Sequence, residues 1–271
     1  MAIIFFILLI VGIFGGIIAG LFGLGGGILF APVLLFLFQS AGVQEPVLWT
    51  VGTSLICSFI ASLSSSYKHF QMDNSFFSEG LATGLFGIAG TFIGRFIATS
   101  PYYSEREFII IFSLILIYSV FHFLRKRQPI SNETAATVLP MRWYHAIPIG
   151  LASGALATLA GVGGGLVLVP AMTVILSFGF RKAVSISSMS IVMITCSGWI
   201  QLALLTPPTS GFSGWEIGFV DLGVALPLVT GSIFGARYGV KLLSVVRLRV
   251  LEIAFSLILM FVAGRMLYGL F

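Results

Sequence analysis

The sequence Gly23-Leu24-Gly25-Gly26-Gly27, followed by Pro32, returns as Gly161-Val162-Gly163-Gly164-Gly165, followed by Pro170. Each copy interrupts a long apolar run. Backbone N–H groups at such a break lack helical partners, and glycine lets a ligand approach them closely. A helix starting just after the break aims free N–H donors and partial positive charge at the same spot, which favours an anion. The same break in both halves of a membrane chain points to a transporter's binding site. Close helix packing through small residues is the other use of such glycines. The candidate substrate-binding residues are therefore Gly25, Gly26, Gly27, Gly163, Gly164 and Gly165.

Hydroxyls come next. Ser54, Ser58, Ser62 and Ser66 are four residues apart and share one helical face, and Ser187, Ser190 and Ser197 form a similar stripe. Such stripes either line a polar path or bond back to their own helix and pack against neighbours. Thr53, Ser54 and Ser187 stand near helix starts, where capping and ligand binding both need a hydroxyl. Arg95 and Arg237 closely follow Gly94 and Gly235 and could attract an anion or snorkel to an interface. Asp221 reads either as a proton-coupling carboxylate or as a helix-start residue. Cys57 and Cys196 have no CxxC spacing, and His69, His122 and His145 have no HExxH spacing, so no disulfide framework and no metal site is expected. Gly211-Phe212-Ser213-Gly214 has the GxSG pattern of intramembrane serine proteases, but no histidine follows His145 to act as base. There is no Walker motif. No catalytic residue, cofactor or enzyme activity is expected.

These residues must be positioned by membrane helices. The chain is 58% hydrophobic and 8% charged, with a mean hydropathy of +1.10, too apolar for 271 residues to hide in a soluble fold. Spans of ~20 residues allow roughly eight to ten hydrophobic segments. The fold expected is all-α and polytopic, with two inverted repeats. Each repeat would hold a Gly-broken hairpin and three further transmembrane helices. The segments read as 2–22, 26–38, 46–67, 76–98 and 105–125, then 144–161, 164–178, 183–205, 216–238 and 246–270. That divides the chain into a first repeat (1–125), a polar linker (126–142) and a second repeat (143–271). Three anchors align the halves: the glycine breaks at an offset of 138, Thr50–Ser54 with Ala183–Ser187 at 133, and Gly90 and Gly94 with Gly231 and Gly235 at 141.

The short segments 26–38 and 164–178 are either re-entrant or extended into full crossings. In both cases the chain returns to its starting side, which inverts the halves. With hairpins, and leaving out Arg237 and Arg265 as lying within helix ends, one face carries Lys68, Arg125, Lys126, Arg127, Arg142, Arg181, Lys182, Lys241, Arg247 and Arg249, and the other Arg95 and Arg106. Counting each hairpin as one span divides the same residues five against seven. The positive-inside rule thus favours hairpins, a cytoplasmic linker and both termini outside, in the plasma (inner) membrane. The net charge of +5 comes from basic residues scattered at helix ends, so no nucleic-acid partner is expected. The expected partners are a small anionic substrate, the lipid bilayer and a second copy of the chain in a homo-oligomer.

The residues also carry a family resemblance. Gly15 through Gly27 with Pro32, Val51-Gly52-Thr53-Ser54-Leu55, and Gly161 through Pro170 with Arg181-Lys182-Ala183-Val184 resemble the TauE/SafE sulfite exporter family over essentially the full length. The second half carries Ile186-Ser187-Ser188 where the family commonly has Thr-Ser-Leu, and Ser188 then stands in for the missing threonine hydroxyl. The resemblance implies a permease that exports sulfite, an organosulfonate or a related small anion. Alternating access around the glycine tips would carry it. An anion channel on the same fold and a non-transporting binding subunit are the alternative readings.

Overall fold

The computed structural model describes residues 2–72, 77–125 and 143–245 and, beyond them, residues 253, 256, 257, 259–264 and 266. The described residues form nine helices up to residue 245: α1 (Ala2–Phe22), α2 (Gly27–Ser40), α3 (Pro46–Met72), α4 (Phe77–Ala98), α5 (Glu105–Arg125), α6 (Trp143–Ala160), α7 (Gly165–Val174), α8 (Phe180–Ala203) and α9 (Leu222–Val245). The described residues from 253 onward are helical too. Among the described residues, α1, α3, α4 and α8 are long and apolar enough to cross a membrane. At 1.5 Å per residue, α2 and α7 reach only about 21 and 15 Å.

Several segment ends differ from the sequence expectation: α3 runs on to Met72 rather than 67, α8 starts at Phe180 rather than 183, and α9 runs on to Val245 rather than 238, while the linker 126–142 and most of the expected segment 246–270 lie outside the described residues. Two further ends have a visible local cause. Helix α7 stops at Val174 rather than 178, and the following turn holds Ser177 at φ 56°, a left-handed conformation no helix continues through. Helix α9 starts at Leu222 rather than 216, because β1 (Glu216–Ile217) and β2 (Val220–Asp221) pair as a short hairpin turned at Gly218.

Asp221 then caps α9. Its buried carboxylate accepts from the Val224 N–H at 3.0 Å, the Ser213 N–H at 2.8 Å and the Ser213 hydroxyl, while its own N–H donates to Thr53 Oγ1 at 3.0 Å. The helix-start reading of Asp221 holds, and the Ser213 hydroxyl is occupied by the cap. Losing a cap costs ~1 kcal/mol, and each buried donor left unpaired ~1–3 kcal/mol. Asp221→Ala is therefore expected to destabilise the protein by about 2–4 kcal/mol in thermal unfolding in detergent, with Asp221→Asn recovering part of it.

The interior combines an apolar core with a set of buried hydroxyls, and the outside is apolar. Ser54, Ser58, Ser62 and Ser65 of α3 and Ser187, Ser188, Ser190 and Thr195 of α8 are buried, while Phe6, Phe14, Phe36, Phe92 and Phe96 are exposed. Lipid gives no hydrophobic drive between helices, so they associate through small residues that let backbones touch. On α1, a Cβ at Gly12 or Gly16 would strike the carbonyls of Leu228 and Ser232 in α9. On α6, a Cβ at Gly150 or Gly154 would strike those of Thr83 and Gly87 in α4. The two sets are the same arrangement, with α1 matching α6 at an offset of 138 and α4 matching α9 at 145. The expected offset of 141 for the last pair is thus corrected by one helical turn: Gly90 and Gly94 correspond to Gly235 and Gly239.

Helices α3 and α8 run antiparallel. Leu55 meets Gly198, Ser65 Oγ lies 3.3 Å from Ser188 Oγ, and Ser185 Oγ lies 3.1 Å from His69 Nδ1. At the offset of 133, the first two contacts exchange with each other. An approximate twofold that swaps two antiparallel helices must run perpendicular to them. Both are long enough to span, so the axis lies in the membrane plane and the repeats are inverted.

Candidate substrate site

The two glycine breaks adopt one backbone conformation. Gly23, Gly25 and Gly26 have φ of 62°, 77° and 74°, and Gly161, Gly163 and Gly164 have 67°, 73° and 83°. Three left-handed residues within four positions are accessible only to glycine at low cost. Gly26 and Gly164 are the N-caps of α2 and α7 and offer no capping side chain; the N–H groups of Leu29 and Val167 bond back to the cap carbonyls, which leaves those of Gly27 and Ile28 and of Gly165 and Leu166 to whatever lies at the tip. Every residue from Leu21 to Ile28 and from Gly161 to Leu166 is buried.

The tips meet each other. A Cβ at Gly27 would come 2.7 Å from Val162 Cα, and one at Gly165 2.6 Å from Leu24 Cα. Two serines brace the pair reciprocally. Ser54 Oγ donates to the Gly161 carbonyl at 2.7 Å, and Ser187 Oγ donates to the Gly23 carbonyl at 2.6 Å. Residues near the middle of α3 and α8 surround the tips: Ser58 and Ser62 on one side, Ile191 and Thr195 on the other.

Contacts also fix the direction of entry. Helix α1 runs parallel to α9, since Gly12 faces Leu228 and Gly20 faces Ala236. The start of α9 is tied through Asp221 to Thr53, near the start of α3, where α2 also leads. The α1–α2 hairpin therefore enters and leaves on one side. Helix α6 runs parallel to α4, and α4 parallel to α8, because Ser190 bonds to Gly80 and Gln201 to Thr91. The α6–α7 hairpin accordingly enters and leaves on the side where α8 begins. The two hairpins thus enter from opposite sides, and their tips meet beside the middle of α3 and α8.

Ser58 Oγ and Ser62 Oγ are at most 1% exposed and have no hydrogen-bond partner. Ser58 Oγ lies 3.0 Å from where a Gly27 Cβ would sit, and Ser62 Oγ 3.3 Å from that of Gly25. An unpaired buried hydroxyl costs ~1–3 kcal/mol, so two beside the uncapped N-terminus of α2 are an arrangement that an anion would complete. The tips and these hydroxyls carry no formal charge. They would hold an anion by partial charges alone, which suits a site that must release it.

The remaining expected site residues lie elsewhere. Thr53 is engaged by the Asp221 N–H. Ser188 Oγ donates to its own Val184 carbonyl at 2.9 Å and pairs with Ser65. Arg237 is exposed and Arg95 half-buried, so neither belongs to the buried tips. Two contributors escaped the sequence reading. Ser153 Oγ donates to the Gly164 carbonyl at 2.9 Å, and its counterpart at 138 is Gly15, which gave no signal. Ile191 is the counterpart of Ser58, and aligning the stripes at 133 could have exposed it.

Comparison with known proteins agrees with this architecture. A probable membrane transporter protein of Methanocaldococcus jannaschii is 28% identical over 258 residues, covering 93% of this chain and 91% of its own. The probable membrane transporter protein YunE of Bacillus subtilis is 25% identical, covering 98% and 99%. One from Haemophilus influenzae is 26% identical, covering 95% and 96%. No solved structure matches the chain. The family model described as Sulfite exporter TauE/SafE matches residues 8–266, a span that takes in both glycine tips, both hairpins and every helix bracing them. With nearly the whole chain matched by the family model, the protein belongs to the sulfite exporter TauE/SafE family.

Proposed function

We propose that this membrane transporter exports a small sulfur-containing anion, such as sulfite or an organosulfonate, by alternating access. The observation that carries the reading is the meeting of two oppositely entering hairpins, the first of which sets its uncapped helix N-terminus beside the unpartnered hydroxyls of Ser58 and Ser62. One repeat rocks against the other about the tip contact, exposing the site to each side in turn. The sulfur chemistry and the direction come from the family's description. The linker 126–142 is placed in the cytoplasm and both termini outside, on the distribution of Lys and Arg. An anion leaving a negatively charged interior moves downhill electrically, so export needs no coupling carboxylate. That agrees with Asp221 serving as a cap.

Purified protein in liposomes tests the reading. Sulfite or sulfonate flux that saturates and shows counterflow is expected. Flux linear in concentration would indicate a channel, and no flux with any sulfur oxyanion, sulfonate or carboxylate would remove the transporter assignment from this substrate class.

A further inference from the structure

We infer that Ile191 is the side chain that seals the two tips from each other and makes the anion site one-sided, an inference resting on the tips being the substrate site. At the offset of 133, Ile191 is the counterpart of Ser58 and Thr195 that of Ser62. The first tip faces two unpartnered hydroxyls. The second faces two methyl groups: Ile191 Cγ2 lies 3.1 Å and Thr195 Cγ2 3.3 Å from the position of a Gly163 Cβ. The Thr195 hydroxyl is turned onto the Ile191 carbonyl at 2.6 Å. The same Ile191 Cγ2 lies 3.1 Å from the Cβ position of Gly25, and its Cδ1 2.8 Å from that of Gly165. A single fully buried branched side chain thus touches both tips at once.

An apolar wedge among backbone donors excludes water and anion from its side. The anion's ligands are then Ser58, Ser62 and the first-turn N–H groups of α2. Passage to the opposite face requires Ile191 to leave the seam between Gly25 and Gly163. The wedge stands where strict symmetry would put a third hydroxyl, so the site binds one anion rather than two.

Labelling tests the seal without needing a substrate. In a Cys57→Ala, Cys196→Ala background, Ser58→Cys is exposed to a charged, membrane-impermeant thiosulfonate reagent from each face of oriented vesicles. With Ile191 in place, slow labelling from one face at most is expected. Ile191→Ala is expected to raise the rate at least tenfold and open the site to both faces, and Ile191→Val, which keeps Cγ2, to raise it less. Ile194→Ala removes the same volume from the α8 face packed on Gly87 and is expected to leave the rate unchanged. An unchanged rate in Ile191→Ala, or an equal rise in Ile194→Ala, overturns the seal. Ser62→Cys gives a second probe with the same expected pattern. Absent anion flux in the wild type would overturn the exporter reading alone, because labelling is scored without transport.

Discussion

Gly165→Ala is expected to lower anion flux at least a hundredfold while the protein still reaches the membrane. Gly165 has an ordinary φ, so the added methyl brings no backbone strain and acts only by occupying space. That space is filled by the other tip. A Cβ there would lie 2.6 Å from the Gly23 carbonyl oxygen, 2.6 Å from Leu24 Cα and 2.8 Å from Ile191 Cδ1. Two of the three obstacles are backbone and cannot rotate away, so the tips must separate. Overpacking of this kind costs ~1–3 kcal/mol in a well-packed core, and here the cost falls on the contact about which the proposed alternating access would turn. Gly27→Ala should behave alike, since its Cβ would strike the Gly161 carbonyl and come 2.7 Å from Val162 Cα. Gly179→Ala is the control: it has nothing within 4 Å and a φ of −58°, so flux and melting should match the wild type. Flux in proteoliposomes and thermal unfolding in detergent give the two readouts. Wild-type flux in Gly165→Ala would mean that tip contact plays no part in transport.

Much of this site was legible in the chain, and the limits have physical causes. The breaks were legible because left-handed backbone inside a membrane helix leaves glycine as nearly the only choice, and it was needed at the same three positions twice. The α3–α8 anchor was legible because Ser54 and Ser187 do the same work on opposite tips. The α4–α9 register was not. Gly231, Gly235 and Gly239 recur every four residues, so the pair Gly90 and Gly94 fits two registers equally well, and only the carbonyls they pack against choose between them. The roles of the hydroxyls were also hidden. Ser54 and Ser58 are one turn apart on one face, yet one donates to a carbonyl of the opposite hairpin and the other has no partner. That difference depends on contacts more than a hundred residues away in sequence.

The same difference yields opposite expectations for neighbouring serines. Ser54→Ala and Ser187→Ala each strip a donor from a buried tip carbonyl, Gly161 in one case and Gly23 in the other. Each should destabilise the protein by ~1–3 kcal/mol, the cost of a buried acceptor left unpaired. Ser58→Ala and Ser62→Ala instead remove hydroxyls that are buried and unpaired. Their loss should leave the melting temperature unchanged or raise it slightly. If these hydroxyls complete the anion's shell, however, each variant forfeits a hydrogen bond to a charged group, worth ~1.5–3 kcal/mol, or about 10- to 100-fold in KM. Transport and stability then move apart for Ser58 and Ser62 and fall together for Ser54 and Ser187. Groups that serve packing alone lose stability when truncated, whereas a site that tolerates unpaired polar groups has given up stability for binding. Thermal unfolding with and without saturating anion separates the cases: the anion should raise the wild-type melting temperature through linkage, and that shift should shrink in Ser58→Ala and persist in Ser187→Ala. A melting loss in Ser58→Ala with KM unchanged would reduce the α3 stripe to helix packing and leave the first tip without its hydroxyl ligands.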